Sequence, residues 1–302
     1  MNRPIDSNDL LQRRSIVRDR TAVSEMLDGK RVVITGAGGS IGSELARQIN
    51  QYKPWELVLV DNCEFNLYSI SEQIPTAKAV YADIRDSDSV NTFMRSNLEQ
   101  VVFHAAAMKH VPLVEHNRGE ALKTNVIGTA NVATACDQNF VYRLVLISTD
   151  KAVNPSSFMG ETKRTAEIIC KNRTVVRFGN VLGSSGSVVP LFESQIKRGG
   201  PVTVTHEDME RYFMSIDEAV ELVLQAATGE PATYILDMGC PVKIMDLARD
   251  MIRLSGKMPD DEIKIEVTGL RPGERLTEEL FYQTEVVNPS GMDGIWRVSS
   301  GA

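Results

Sequence analysis

Five short runs of apolar, mostly β-branched residues recur through the first half of the chain: RVVIT from Arg31, ELVLVD from Glu56, AVYAD from Ala79, EQVVFHAA from Glu99 and YRLVLIST from Tyr142. They are apolar throughout rather than alternating, which suits strands covered on both faces. Amphipathic stretches separate them: IGSELARQIN, FNLYSISEQI, and segments around Ser87–Ser96 and Gly119–Gln138. A strand, helix, strand rhythm of this kind folds by right-handed crossovers into a doubly wound parallel α/β sheet. Past Thr174 the pattern loosens into TVVRF, a loop-rich GNVLGSSGS, then shorter helices and strands up to Tyr282, which predicts a smaller α/β lobe. The expected division is an N-terminal helical arm over 1–29, starting at Asp9 or Asp19, a nucleotide-binding domain over 30–175, and a substrate lobe over 176–302 partly interleaved with it.

A chain of 302 residues, 42% hydrophobic and 24% charged, has the composition of a globular protein. Its net charge of -7 argues against a nucleic-acid partner, whose phosphates attract basic surfaces. No apolar run reaches the roughly 20 residues that span a bilayer, and MNRPIDSNDLLQRRS lacks the apolar stretch of a signal peptide. Cys63, Cys136, Cys170 and Cys240 are scattered with no CxxC pair, so no metal site is expected and the thiols read as reduced and cytoplasmic.

The first run is followed at once by TGAGGSIGSE. Gly36 is placed for a tight turn, Gly39 for close approach of backbone to a pyrophosphate, and Gly42 for packing of the next helix on the strand; Ser40 and Ile41 complete the cradle at the helix N-terminus. Asp61 ends the second run, where a carboxylate accepts from a ribose 2′-hydroxyl and repels a 2′-phosphate, so NAD is expected over NADP. The competing reading of Asp61 is a cap on the following helix. Asp83 and Ile84 are placed for adenine or are ordinary loop residues. Ala105 and Ala106 leave room for a cofactor after the fourth run, and Lys109 and His110 stand just beyond as phosphate or sugar contacts.

The fifth run leads into STDKAVNPSSFMGETKR, residues 148–164. Thr149, Asp150 and Lys151 fall at the carboxyl edge of the sheet, and Met159 and Lys163 lie one helical turn apart. This arrangement resembles the extended short-chain dehydrogenase/reductases, where a Tyr-x-x-x-Lys pair works beside the nicotinamide; here Met159 stands at the Tyr position and Lys163 at the Lys. With RFGNVLGS, RYFMSIDEAV, LDMG and LRPGE in order, the chain is similar from about Asp9 to about Tyr282 to the polysaccharide-biosynthesis nucleotide-sugar dehydratases, in particular UDP-N-acetylglucosamine 4,6-dehydratases of a Met-for-Tyr branch. That resemblance implies a Rossmann fold, NAD regenerated each cycle, a UDP-N-acetylhexosamine substrate and a homo-oligomer. Many relatives carry transmembrane helices ahead of this region, so the chain looks like a soluble member or an excised catalytic portion.

A thioether cannot exchange a proton, so the work falls to Thr149, Asp150 and Lys151. Asp150, aided by Thr149, is expected to take the sugar 4-hydroxyl proton and later to protonate the departing 6-hydroxyl. Lys151, made neutral by burial and by the nearby Lys163, is expected to take the C5 proton. Retention at C5 is expected from the N-terminal lead-in. Asn180 is a candidate for a diphosphate or sugar oxygen, and Arg211 and Arg271 for phosphate. The resemblance places Arg271 and Glu274 in the nucleotide pocket, whereas spacing alone equally allows a capped turn. A UDP-sugar epimerase or reductase and a non-catalytic NAD sensor are the rival functions; the first would want the absent Tyr.

Overall fold

The computed structural model describes residues 19–139 and 141–300. Its strands are β1 (Arg31–Thr35), β2 (Glu56–Asp61), β3 (Lys78–Tyr81), β4 (Gln100–His104), β5 (Arg143–Ile147) and β6 (Thr174–Arg177), then β7 (Asn180–Val181), β8 (Val202–Val204), β9 (Glu210–Arg211) and β10 (Phe213–Met214), and finally β11 (Thr233–Leu236), β12 (Val242–Lys243), β13 (Ile265–Val267), β14 (Glu285–Pro289) and β15 (Ile295–Ser300). Nine of these make one sheet in the order β14-β15-β11-β6-β5-β4-β1-β2-β3. From β3 to β11 every pairing is parallel, and β15 and β14 close the far edge antiparallel. The expected doubly wound sheet is present.

The apolar runs are needed because the sheet is covered on both sides. Val32 and Ile34 of β1, Leu57 and Leu59 of β2, and Val101 and Phe103 of β4 enter one core. Their alternates Val33, Val58, Val60 and Val102 enter the other. Each such side chain, fully buried, stabilises the fold by about 1.5–3 kcal/mol. β3 lies at the sheet edge, and Tyr81 there is 68% exposed.

A helix over Arg20–Leu27 precedes β1, with Asp19 as its cap accepting from Thr21 N and Ala22 N. Val23, Met26 and Leu27 are buried in the main core, so this part of the N-terminal segment packs as a layer of the domain. The earlier start at Asp9 lies outside the described residues. Residues beyond β6 contribute both to the large sheet and to a separate cluster in which Phe192 and Ile196 of helix Val188–Lys197 meet Leu247 and Met251 of helix Ile244–Leu254. That cluster also holds β8, which pairs with β13.

The helical stretch between β4 and β5 departs from the expected regular helix. It loosens to a π-helical segment over Leu122–Gly128 before resuming at Thr129–Gln138. The wider turn carries buried Asn125, whose amide accepts from Met108 N at 2.8 Å and donates to Met108 O and Thr162 Oγ1, both at 2.9 Å. One side chain thereby fixes the loop ahead of Lys109 and His110. π-bulges are frequent at functional sites.

Candidate active site

Two connected clefts open at the carboxyl ends of the strands. The first, about 350 Å³, runs past Gly36, Gly39, Asp61, Ile84 and Ala105–Ala107. The second, about 580 Å³, shares Gly36, Gly39 and Ala105 and continues along Ser40, Ile41 and Gly42 to Thr149, Lys151, Met159, Lys163 and Asn180. The glycines are required by geometry. Gly36 has φ +69, and an added Cβ would lie 2.7 Å from Ala106; one on Gly42 would lie 2.0 Å from Gly36 O. Gly39, the helix cap, has only Gly36 O within contact range, so its cleft side is open. An elongated, backbone-lined groove ending at a helix N-terminus fits a dinucleotide.

Asp61 is nearly buried, and its oxygens accept from Gly38 N and Cys63 N, each at 2.9 Å. It therefore ties the glycine loop to β2 and does not cap the next helix, which starts at Glu64 behind Cys63. Gly38 was missed by its spacing: a Cβ there would lie 2.5 Å from Asn66, and the only hint is its place as the first glycine of a GG pair. Asp83 is not brought to the cleft. Its carboxylate accepts from Arg85 N and Arg85 Nε, and the hydrogen bond from the Arg85 guanidinium is the main cause holding it below its ordinary pKa. Ile84 does line the wall.

Asp150–Ala152 form a 3-10 turn shortly after β5, with Thr149 as its cap. Asp150 Oδ1 accepts from Thr149 Oγ1 at 2.8 Å, from Lys151 N at 2.9 Å and from Lys151 Nζ at 3.0 Å. Its second oxygen is buried with no hydrogen-bond partner among the described residues. Asp150 is 0% exposed, whereas Thr149 and Lys151 form the cleft wall. The buried Asp150 carboxylate is thus bonded to the Thr149 hydroxyl, and it is Thr149 that stands in the cleft wall.

The shift of Lys151 runs opposite to the one expected. Burial pulls Lys151 down, but the carboxylates of Asp150 and Glu278 outweigh it and hold its pKa above the ordinary value. Lys163 is the depressed one, pushed by burial to about 8, with its Nζ donating to Ile147 O at 2.7 Å. Met159 is 2% exposed and packs with Val114 and Ala121 while touching the cleft, an apolar wall element as its chemistry requires.

Lys109 and His110 both line the larger cleft, and burial lowers the pKa of each. Asn180 Oδ1 accepts from Lys151 Nζ at 3.3 Å. A smaller cleft of about 110 Å³ adjoins Lys151 and is bordered by Ser157, Arg211, Glu274, Arg275 and Glu278. Arg211 is largely engaged with protein: it donates to the carbonyls of Glu210, Leu276 and Arg275 and lies 3.6 Å from Glu278 Oε1. Arg271 is exposed and outside the clefts; its backbone N donates to Glu274 Oε2, which is the capped turn that the spacing allowed. Arg275 stands at the wall instead. Glu278, 3.6 Å from Lys151 Nζ, went unread because it lies 127 residues away in a charged stretch with no periodic signal.

Strand order, glycine cradle and the lysine-bearing helix after β5 together define an extended short-chain dehydrogenase/reductase. The family of polysaccharide biosynthesis proteins matches residues 32–300, and the chain belongs to it. The match continues past Tyr282, where the sequence resemblance was expected to stop. The chain is 49% identical to the probable polysaccharide biosynthesis protein EpsC of Bacillus subtilis over 94% of its own length and 50% of EpsC, so it spans about half of that relative. It is 34% identical to the UDP-N-acetylglucosamine 4,6-dehydratase (inverting) of Campylobacter jejuni, covering 84% of this chain and 78% of that one. A UDP-glucose 4-epimerase of Rickettsia akari is 33% identical over 90% and 84%. Among solved structures, Pen from Bacillus thuringiensis superposes with a TM-score of 0.83 at 34% identity, covering 91% of this chain and 87% of Pen.

Proposed function

We propose that the chain removes water from UDP-N-acetylglucosamine to give a UDP-4-keto-6-deoxy sugar, with NAD as the resident cofactor. The observation that carries this reading is the Thr149–Asp150–Lys151 cluster: a hydroxyl at the cleft wall, bonded to a buried carboxylate, beside an amine. Gly36, Gly39, Ser40, Ile41, Gly42, Asp61, Ile84, Ala105, Ala106 and Lys163 would hold the dinucleotide. When bound, NAD supplies oxidation at C4 and later reduction at C6.

The protein's own part is proton transfer. Thr149 Oγ1 takes the proton of the 4-hydroxyl as it passes its own to Asp150 Oδ1, 2.8 Å away. Lys151 then takes the C5 proton, acidified by the adjacent ketone. The C4 and C6 oxygens of a hexose are both one carbon from C5, so the same Thr149 hydroxyl can return the Asp150 proton to the departing 6-hydroxyl. Lys151 gives its proton back to C5. Asn180, Lys109 and His110 line the same cleft and would hold the sugar diphosphate.

An epimerase is the second reading, favoured by the relative of that name. It has no use for an amine beside the acid–base hydroxyl, whereas dehydration needs one at C5. Incubation with UDP-N-acetylglucosamine and mass analysis decides: loss of one water supports the proposal, and an isomer of unchanged mass supports the epimerase.

A further inference from the structure

We infer that Glu278 is the proton partner of Lys151, the group that accepts the lysine's own proton so that the amine can work at C5. The inference rests on the dehydratase reading and deepens it. That reading needs a neutral Lys151, yet the ammonium lies 3.0 Å from Asp150 Oδ1 and 3.6 Å from Glu278 Oε1, an arrangement that stabilises charge.

The proton count shows the difficulty. Once Asp150 holds the proton from the sugar 4-hydroxyl, Lys151 is still protonated and cannot take another. The other groups facing it are few. The Asn180 amide is not a base, and the Arg211 guanidinium offers only donors. Glu274 borders the same small cleft, but its carboxylate accepts from Arg271 N. Glu278 remains. Its side chain is 7% exposed; burial is the main cause pushing its carboxyl pKa up, Asp150 adds to this, and Lys151, Arg211 and Arg275 oppose it.

The placement of Glu278 is built rather than incidental. Arg211 donates to the carbonyls of Arg275 and Leu276, and Glu210 N donates to Leu276 O, which fixes the segment just ahead of Glu278. A gap of 3.6 Å is long for proton transfer, but such contacts commonly tighten when substrate binds.

The cycle balances. Protonation of Asp150 removes one counter-charge from Lys151, and the ammonium passes a proton to the Glu278 carboxylate, leaving amine and carboxylic acid. The amine takes the C5 proton, and the C–H electron pair forms the enolate of the 4-ketone. The C6–O bond breaks as Asp150 returns its proton through Thr149, releasing water and restoring the Asp150 carboxylate. With the hydride that a bound cofactor would return to C6, the C5=C6 bond becomes an enolate; Lys151 protonates it at C5, and Glu278 returns its proton to Lys151.

The test uses UDP-N-acetylglucosamine in single turnover, reading C4 oxidation by reduced-nicotinamide absorbance and water loss by mass, across a range of pH. Glu278→Gln is expected to oxidise C4 within about threefold of wild type but to lose water at least ~100-fold more slowly near neutrality, the scale of a positioned acid–base group. That loss should shrink as pH rises, since solvent base then takes the Lys151 proton, while wild type stays level over the same range. Glu278→Asp keeps a carboxylate and should keep the level profile; it carries the test alone if Glu278→Gln does not fold. Overturning results are a loss equal at every pH, a loss shared by C4 oxidation, wild-type water loss in Glu278→Gln, or a steep profile in Glu278→Asp. If wild type itself releases no water, the dehydratase reading fails and this inference with it. If wild type dehydrates and Glu278→Gln matches it, the inference alone fails.

Discussion

At the scale of single residues, the proposed relay puts the hydroxyl of Thr149 between the substrate and the Asp150 carboxylate. Thr149→Val keeps the side-chain shape but leaves Asp150 Oδ1 without its link to the cleft, and turnover should fall at least ~100-fold with little change in KM. Asp150→Asn should cost about as much, and the double variant little more than either single one, because the two act as one relay. Met159→Leu conserves volume in an apolar contact and should keep activity within a few fold. A Thr149→Val enzyme with near-normal turnover would remove the relay. Proton return adds a stereochemical expectation: a single amine that removes and restores the C5 proton on one face retains configuration. The product formed in D2O should carry deuterium at C5 with retained coupling constants, and an inverted product would require a second donor. Sequence disclosed the residue types of this cluster because Asp, Lys and Thr are few ways to move a proton. It did not disclose which side chain fronts the cleft, since a three-residue turn rotates neighbours to different sides.

Lys163 yields a pH prediction of its own. Its folded pKa of about 8 lies below the ordinary 10.5, chiefly through burial. Between those values the unfolded chain binds the extra proton, so stability gains from Lys163 as pH rises through that window and is penalised below it. Wild type should therefore gain stability relative to Lys163→Met from about pH 8 to about 10.5, measured by denaturant unfolding at each pH. A parallel pair of curves would show that Lys163 titrates normally.

Among elements, the helix after β5 is tied to the C-terminal segment by a buried ion network. Glu167 accepts from Ser148 Oγ at 2.6 Å and from Arg177 Nε and Nη2, both at 2.8 Å, and Arg177 also pairs with Glu285 at the start of β14. Arg164 and Arg177 lie 4.7 and 5.6 Å from the Tyr282 ring centre, and Tyr282 OH donates to Ala152 O in the acid–base turn. Arg177→Met leaves Glu167 buried without its main counter-ion and should destabilise by about 3–5 kcal/mol. Arg177→Met/Glu167→Met should recover part of that; equal loss in both variants by urea unfolding would assign the cost to packing. These elements differ in how visible they were. Four of the five apolar runs had to be buried on both faces, and a parallel sheet was the consequence, with AVYAD as its exposed edge strand. The β14–β15 hairpin was missed because EVVNP and IWRVSS are short, partly polar edge strands around an SGMDG turn, and their pairing depends on contacts with β11 far away in sequence. The π-helical segment over 122–128 leaves no composition signal at all; only the buried, doubly bonded Asn125 shows why the turn widens.

For the whole molecule, cofactor choice is where local geometry becomes a global quantity. The two clefts share Gly36, Gly39 and Ala105, and Ser185 N donates to Ser40 Oγ at 3.1 Å, so the glycine cradle is tied to the Ser184–Ser187 loop that lines the larger cleft. A ligand that binds only the folded chain stabilises it by about 2.7 kcal/mol at a hundredfold excess over its Kd. NAD should therefore raise the unfolding midpoint. NADP should raise it less, because its 2′-phosphate would approach the nearly buried Asp61, whose neighbour Arg85 is already paired with Asp83 and Glu120. In Asp61→Asn the amide can still meet a ribose hydroxyl, but the like charge is gone, and the gap between NAD and NADP should narrow mainly through a gain for NADP. Thermal unfolding of wild type and Asp61→Asn with each dinucleotide at equal concentration checks this without any turnover. Equal stabilisation of wild type by both dinucleotides would mean that Asp61 does not select, and that the 2′-phosphate leaves the groove on another side.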